Sequence, residues 1–367
     1  MDILGLMMIR RAREQRRQRQ ARVLLRELRN SYNPLEDLSD RDFKLLFRLT
    51  KPLCRTFLDH ILPFMEERQR ETGLTKEQRV FCAIRFFAVG SYQRPIGQET
   101  RICLSQASVS RCVSEVSDII DEFLAPQFIS FPATETEKDE IKQEFYERFG
   151  IPGIIGLIDG THILIKRPPN NIEHAYYAVR KSSHSKNVQI ISGANLKILN
   201  VNAAFGGAAH DSFVFKSSSV STFLKDNYFR GDRSSWILGD SGYPQLPWLM
   251  TPLSNTHNAA EERYNIVHKR TRSVIERCIG VLKSRFRCLS KQRILMYSPK
   301  RAGAIINSCC TLHNIMVQQY YPLPSEDDIM LEIQEDQQEY FEDQHNETST
   351  LLQQGRRQRE HLIRSVF

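Results

Sequence analysis

The stretch that decides the fold is Ile154-Ile-Gly-Leu-Ile-Asp-Gly-Thr-His-Ile-Leu-Ile165. β-Branched residues dominate this stretch, and its apolar character continues past the central aspartate, which predicts a buried strand. Two further apolar runs, 187–194 and 198–205, lie on either side of Asn195-Leu-Lys197 and predict a hairpin. Residues 235–238 predict one more short strand. The sheet is therefore expected to open with an antiparallel pair and to continue through helical crossovers.

Helical segments lie between and around these strands. Apolar residues at helical spacing predict helices over 261–287 and 300–318. Residues 33–150 are poor in glycine and show the same spacing. The expected architecture is an α/β domain of about 170 residues that follows a helical region.

Four acidic side chains fall where a strand or a helix presents them. Asp159 lies within the first strand, Asp211 follows the third, Asp240 ends the fourth, and Glu276 lies in the later helix. A charged aspartate within an apolar strand is costly to bury unless something pairs with it. Hard cations such as Mg²⁺ take oxygen ligands, and two such ions can activate a water and stabilise a leaving oxygen at a phosphodiester. The joint placement of the four acids favours a divalent-metal site.

Each acid also has a structural interpretation. Asp240 precedes Ser-Gly and suits a turn, and Asp211 can cap the next helix. Taken singly, these two positions fit a structural role better than a metal site. Glu276 can simply pair with Arg272 or Lys283 on the helix surface. Only the combination of acids, with basic residues around Glu276, favours the metal.

Residues 96–111 have the outline of a helix-turn-helix. Ser105 can cap the second helix, whose apolar residues recur at helical spacing. Gln106, Ser108 and Arg111 lie near the start of that helix, where a recognition helix contacts DNA. A buried helical hairpin gives a similar pattern, so both interpretations stay open here.

The formal charge of +8 divides into blocks of opposite sign. Residues 1–30 hold nine arginines against three acids, 260–301 hold twelve basic residues against three acids, and 325–345 hold nine acids and no Lys or Arg. The surface that meets a partner is therefore more cationic than the total implies. The arginine-rich arm can contact nucleic acid, act as a nuclear localisation signal, or be a solvated helix with an apolar stripe over 23–28.

The cysteines and the hydropathy exclude several classes of protein. The eight cysteines form no CxxC pair, which predicts buried free thiols in a reducing compartment. Cys310-Thr-Leu-His313 has two zinc-ligand types at a suitable spacing, but without a second pair we prefer a core helix. The longest apolar run, 151–158, is far below the roughly 18 residues of a membrane span, so no transmembrane role is expected.

Several motifs stand together in the chain. They are Leu157-Ile-Asp-Gly-Thr-His-Ile163, His210-Asp-Ser212, Leu238-Gly-Asp-Ser-Gly-Tyr243, the helical pattern Tyr264-Asn-x2-His-x3-Arg-x2-Ile-Glu-Arg-x2-Gly-x-Leu-Lys-x-Arg-Phe286, and Cys309-Cys-x2-His-Asn314. In combination they resemble the Harbinger transposase-derived nucleases of the DDE transposase superfamily, which have an RNase H-like catalytic domain. The resemblance covers most of the chain, from the helix-turn-helix segment to about residue 320.

The resemblance assigns roles to the acids. It implies that Asp159, Asp240 and Glu276 are catalytic and that they bind a divalent metal, Mg²⁺ or Mn²⁺, together with Asp211. The 35 residues between Asp240 and Glu276 are a spacing typical of DDE enzymes.

The basic residues on the same helix also have counterparts. Arg272-x3-Glu276-x6-Lys283 resembles the Arg-Glu-Lys signature of related insertion-sequence transposases, which implies that Arg272 and Lys283 lie near the scissile phosphate or the transferred strand. We hypothesise that Arg285 neutralises phosphate beside them.

The predicted organisation has four parts: a basic arm over 1–30, a helical region with the helix-turn-helix over 31–150, a DDE endonuclease domain over 151–320, and an acidic, mobile tail over 321–367. The resemblance implies a metal-dependent DNA endonuclease of the nucleus, with the cytoplasm also open, and a Myb-like companion protein. A homo-oligomer is compatible with the sequence. Two rival functions remain: a domesticated DNA-binding protein without nuclease activity, and a nuclease that acts on RNA.

Overall fold

The computed structural model describes residues 3–68, 70, 72–90, 104–337 and 350–367. The chain forms two compact units, Met1–Val116 and Ser117–Phe367. The division lies upstream of residue 150, where the sequence changes character, because the segment after Ser117 packs on the second unit. The amide of Asn314 donates to the Phe128 carbonyl at 2.9 Å, and that of Asn307 donates to Asp121 at 2.8 Å.

The first unit is helical. Its described helices are α1 (Ile3–Asn30), α2 (Pro34–Asp37), α3 (Asp40–Phe47), α4 (Lys51–Ile61) and α5 (Lys76–Val89). The side chains of Ser39, Thr50 and Thr75 each accept a hydrogen bond from a backbone N–H of the helix that follows, which satisfies one of the donors that every helix start leaves open. Phe43 and Phe47 both pack against the ring of Phe81 of α5 in the core of this unit.

The second helix of the predicted helix-turn-helix is α6 (Gln106–Ile119). Ser105 caps it as expected, because its Oγ accepts from the Ser108 N–H at 3.2 Å. Gln106 and Arg111 are exposed and Ser108 is half-buried. The segment predicted to form the first helix, from residue 96 to residue 103, lies outside the described residues.

The second unit combines one mixed sheet with helices, which confirms the α/β prediction. Its strands are β1 (Ile154–Leu164), β2 (Tyr177–Ala178), β3 (Ser183–Ser192), β4 (Ile198–Asn202), β5 (Trp236–Leu238) and β6 (Leu249–Met250). Its helices are α7 (Ala125–Phe128), α8 (Glu135–Phe149), α9 (Glu173–Tyr176), α10 (Asp211–Lys216), α11 (Ser219–Phe229), α12 (Ala259–Arg285), α13 (Pro299–Gln318), α14 (Glu326–Gln337) and α15 (Thr350–Val366).

The strands follow the order β2-β3-β1-β5-β6, and β4 pairs with residues 189–192 of β3, beyond the short segment that pairs with β2. β1 is antiparallel to β3 and parallel to β5, and β3 and β4 form the predicted hairpin. β1 is buried along almost its whole length because it lies between β3 and β5 and beneath helices. The apolar run quoted first is thus the central strand of the sheet.

Two described parts of the tail, 326–337 and 350–366, are the helices α14 and α15. α14 packs on α12 through buried Ile329, and Gly280 of α12 allows this close approach, since a Cβ there would lie 3.0 Å from the Ile329 carbonyl oxygen. α15 buries Leu362 and Ile363. A few apolar side chains at helical spacing are enough to dock each helix, although most of its other residues are polar.

The cysteine prediction holds for the described chain. Seven cysteines are described, and all seven are buried free thiols. His313 is buried in α13, where its Nε2 lies 2.8 Å from the Leu196 carbonyl oxygen, in agreement with a core helix. Across the described ranges, none of the helices has the length and apolar character needed to cross a membrane.

Gly355 tests the docking of α15. A Cβ at this position would lie 2.7–2.9 Å from backbone atoms of Leu246 and Gln245, so Gly355→Val must displace the helix. We expect a loss of about 2 kcal/mol in unfolding free energy, as for other overpacked sites. Amide hydrogen exchange should speed up selectively in 350–366. The control is Gln353→Val at an exposed position of the same helix, and equal exchange in the two variants would contradict the docking.

Candidate active site: carboxylates around the central strand

Asp159 lies in the middle of β1, opposite Ile190 of β3. It is only 6% exposed. Its Oδ1 accepts from the N–H of Gly160 at 2.9 Å, and its Oδ2 accepts from Nη2 of Arg272 at 2.9 Å. The buried carboxylate therefore has a cationic partner, as the cost of burial requires.

Asp211 is the first residue of α10 and lies against the same strand. A Cβ on Gly160 would be 2.4 Å from Oδ1 of Asp211, so a larger residue at this position of β1 would displace the Asp211 carboxylate. Asn187 of β3 donates to Oδ1 of Asp211 at 2.6 Å and to the Ala209 carbonyl at 2.9 Å. One amide thus fixes both the carboxylate and the turn that leads to it.

Asp240 follows β5, which runs parallel to β1. Leu157 pairs with Leu238, so Asp159 and Asp240 both come two residues after the same rung of the ladder. Oδ1 of Asp240 accepts from the N–H of Gly242 at 3.0 Å. The turn chemistry of Asp-Ser-Gly is therefore real, and it orients the carboxylate at the end of the strand.

Glu276 and Arg272 lie one turn apart on α12. Nη1 of Arg272 is 3.8 Å from Oε1 of Glu276, in addition to the contact between Nη2 and Asp159. The structural interpretation of Glu276, a pair with Arg272, is therefore correct. It does not exclude the other interpretation, because the same guanidinium also contacts the buried acid of β1.

The start of α12 is held to the chain that follows β6. The hydroxyl of Tyr264 donates to the Thr251 carbonyl at 3.0 Å. The side chain of Asn265 donates to the Leu253 carbonyl and accepts from its N–H, both at 2.9 Å. These bonds set the rotation of the helix and hence the direction in which Arg272 and Glu276 point.

Electrostatics connects the acids. Burial raises the pKa of Asp159 well above its ordinary value. Arg272 lowers this pKa, whereas the charges of Asp240, Asp211 and Glu276 raise it. The pKa of Asp211 is also raised, by burial first and then by Asp240, against the lowering effect of Asn187. Asp159 therefore lies within range of the charges of the other three acids, and Asp211 within range of the charge of Asp240.

Two of the predicted phosphate-binding residues lie in the interior. Lys283 is 1% exposed and Arg285 is 3% exposed. Nη2 of Arg285 lies 3.3 Å from the Tyr321 carbonyl oxygen and 3.4 Å from that of Pro322, and burial lowers its pKa to about 10. Arg272 is thus the predicted cation that the structure brings to the acids. Gln106, Ser108 and Arg111 belong to the first unit.

The structure adds two positioning residues to which the sequence patterns gave no role: Asn187 holds Asp211, and Gly160 makes room for it. His268 lies one turn before Arg272, and its Nε2 is 3.4 Å from the Met250 carbonyl oxygen. Burial and the charge of Arg272 lower the pKa of His268 to about 3, so this ring is neutral. Asn187 is a polar residue in the apolar run 187–194, and this exception to the pattern could have identified it from the sequence.

The donor set has the chemistry of a site for a hard cation. All four acids offer carboxylate oxygens, which Mg²⁺ and Mn²⁺ prefer. Oδ1 of Asn187 and both polar atoms of Gln189 are buried, and in the described part of the chain they have no hydrogen-bond partner. In the observed conformation, however, no three His, Cys, Asp or Glu side chains among the described residues are grouped to hold a metal ion. Arg272 instead provides the positive charge beside Asp159.

Comparison with known proteins identifies the class. Residues 158–314 match the family described as DDE superfamily endonuclease. The chain is 40% identical to "Putative nuclease HARBI1" of Bos taurus over 68% of this chain and 70% of that protein, and 33% identical to the protein of the same name from Xenopus laevis over 80% and 82%. It is 27% identical to "Protein ALP1-like" of Arabidopsis thaliana over 66% of this chain and 61% of that protein. No solved structure matches the chain.

The chain belongs to the DDE superfamily endonuclease family, among the Harbinger transposase-derived nucleases. The resemblance drawn from the sequence motifs is therefore confirmed.

The raised pKa of Asp159 makes a prediction about stability. The folded state binds the proton of the Asp159 carboxyl more tightly than the unfolded state does. The stabilisation that this proton gives the folded state is therefore complete below the ordinary pKa of 3.8, and it is lost as the pH rises through the folded-state pKa. Asp159→Asn stays neutral at every pH. In metal-free buffer at neutral pH we expect this variant to have a higher free energy of unfolding than the unchanged protein.

The gain should shrink as the pH falls toward 3.8. Chemical denaturation across this range measures it, and Glu262→Gln, at an exposed position of α12, is the control. A destabilised Asp159→Asn at neutral pH would mean that the lost pair with Arg272 outweighs the relief of burial and repulsion.

Proposed function

We propose that this protein is a divalent-metal-dependent DNA endonuclease with an RNase H-like arrangement of its acids. The observation that carries the proposal is the placement of Asp159, Asp211, Asp240 and Glu276 around β1 and the end of β5, where burial first, and then the charges of the other three acids, raise the pKa of Asp159. The order of these acids supports the arrangement, since one lies on the central strand, one follows its parallel neighbour, and one lies on a later helix.

The acids and their supports have separate tasks in this proposal. The four carboxylates would hold Mg²⁺ or Mn²⁺, which supplies activation of a water or a 3′-hydroxyl and stabilisation of the leaving oxygen. Asn187 keeps Asp211 directed toward β1 through the 2.6 Å hydrogen bond. Tyr264 and Asn265 keep Glu276 in register with the sheet.

Arg272 has a task of its own. In the observed conformation it neutralises Asp159 and lies near Glu276. A guanidinium suits a phosphate as well as it suits a carboxylate. We propose that Arg272 exchanges its carboxylate partner for a phosphate of the bound DNA.

A second candidate is a DNA-binding protein without nuclease activity. The pairing of Arg272 with Asp159 favours it, because a permanent pair would occupy a ligand of the metal. Under either candidate we propose DNA, a Myb-like protein and a nuclear location as the surroundings of the chain.

Metal-dependent cleavage separates the two candidates. We expect the unchanged protein to nick duplex DNA in Mg²⁺ or Mn²⁺, and Asp159→Asn and Glu276→Gln each to lower the rate about 100-fold or more, since loss of even an outer-shell group costs 10–100-fold. Glu262→Gln should cleave normally. Full activity in the two site variants would refute the assignment, and DNA binding without cleavage in the unchanged protein would favour the second candidate. Parallel assays on RNA and on hybrid duplexes test the remaining alternative.

Arg272 gives a prediction that does not depend on cleavage. If its positive charge competes with a cation for Asp159, Arg272→Gln should bind Mn²⁺ several-fold more tightly than the unchanged protein. Electron paramagnetic resonance of free Mn²⁺ measures this directly. Arg272→Lys keeps the charge and serves as the control, with an affinity near that of the unchanged protein. Weaker Mn²⁺ binding in Arg272→Gln would show that the arginine does not compete with the metal.

A further inference from the structure

The basic arm is a single long helix with little cover. α1 has 28 residues and is therefore about 42 Å long. Seven arginines between residues 10 and 22 are exposed, with Glu14 as the one acid in that range. They are Arg10, Arg11, Arg13, Arg16, Arg17, Arg19 and Arg22.

These arginines lack carboxylate partners within the described chain. The apolar stripe that a plain packed helix would bury is also open, since Leu24 is 57% exposed and Leu28 is 46% exposed. An unpaired block of seven guanidinium groups raises the local potential and attracts a polyanion. The arm is thus built to meet a partner with many negative charges.

The spacing of the arginines adds a geometric constraint. At 100° per residue, Arg10, Arg13 and Arg17 fall on one side of the helix. Arg11, Arg19 and Arg22 fall on nearly the opposite side. We call these sets the first row and the second row. A flat acidic protein surface would contact one row and leave the other in water.

The major groove of duplex DNA can contact both rows at once. It is about 12 Å wide, and a helix with its side chains measures about 10–12 Å across. The phosphates of the two strands line its opposite walls. The major groove of duplex RNA is deep and too narrow for side chains to read.

We propose that α1 lies in the major groove of duplex DNA and that its two arginine rows bind the phosphates of opposite strands. The inference deepens the proposed function, since it names the segment that holds the DNA. It does not depend on cleavage, because phosphate binding by arginines needs no metal. The contacts are to the backbone and therefore provide affinity without sequence preference.

The test replaces each row separately in the full-length chain. One variant carries Arg10→Gln, Arg13→Gln and Arg17→Gln, another carries Arg11→Gln, Arg19→Gln and Arg22→Gln, and a third combines both sets. Glutamine keeps helix propensity close to that of arginine. A charge-matched control replaces Arg41, Arg68 and Arg70, which are exposed elsewhere in the same unit, with glutamine.

The readout is fluorescence anisotropy of a labelled 30-base-pair DNA duplex in EDTA at several salt concentrations. Each row variant should bind about tenfold more weakly, and the slope of log K against log salt should fall in magnitude by about 2 to 3. In the combined variant, the losses in binding free energy from the two rows should add. The control should bind as the unchanged protein does.

Several results would overturn the inference: a loss confined to one row, a loss of the same size in the control, or unchanged DNA binding accompanied by lost binding to duplex RNA or to polyglutamate. Failure of the proposed function has a different signature. If both rows contribute to DNA binding but the protein never cleaves in Mg²⁺ or Mn²⁺, the nuclease proposal fails and the arm proposal stands. If cleavage requires Asp159 but neither cleavage nor DNA binding changes when the two rows are replaced, the nuclease proposal stands and the arm proposal fails.

Discussion

The acidic site of the α/β unit is arranged around the contact between Asp159 and Arg272. A carboxylate in the middle of a buried strand raises the free energy of the folded state unless a counter-charge reaches it. Three more acids lie around it and add repulsion. One guanidinium from α12 contacts Asp159 at 2.9 Å and lies 3.8 Å from Glu276. The position of α12 is therefore an electrostatic requirement as well as a packing one.

The rest of the unit can be understood as support for that arrangement. β1 supplies Asp159 and, one residue later, a glycine that leaves room for Asp211. β5 runs parallel to β1 and brings Asp240 to the same level of the sheet. Side chains at the start of α12 bind the backbone after β6, and α14 and α15 cover the outer elements. In such a site, the acids are held in position largely by groups that do not themselves contact a substrate.

Sequence patterns predicted much of this, for identifiable reasons. The strands at 154–164 and 198–202 and the helix at 259–285 carry strong apolar periodicity, and each lies within a few residues of its predicted bounds. The acids were recognisable because a charged residue is unexpected in an apolar strand. Lys283 and Arg285 were assigned to a phosphate-binding face because a motif gives their order along the helix but not the side that faces the core. Composition predicted a mobile tail but could not single out the few side chains in it that are buried, such as Ile329 and Leu362, because it averages over a segment.

The sequence by itself determined the α/β pattern, the family, and the four carboxylates with their order along the chain. These are properties of local periodicity and residue type, which can be read without knowing which distant segments meet. Only the tertiary structure decided that Arg272 pairs with Asp159, that Asn187 holds Asp211, and that Lys283 and Arg285 are buried. Each of these depends on contacts between residues far apart in sequence, or on the rotation of a helix about its axis, and both are set by packing of the whole unit.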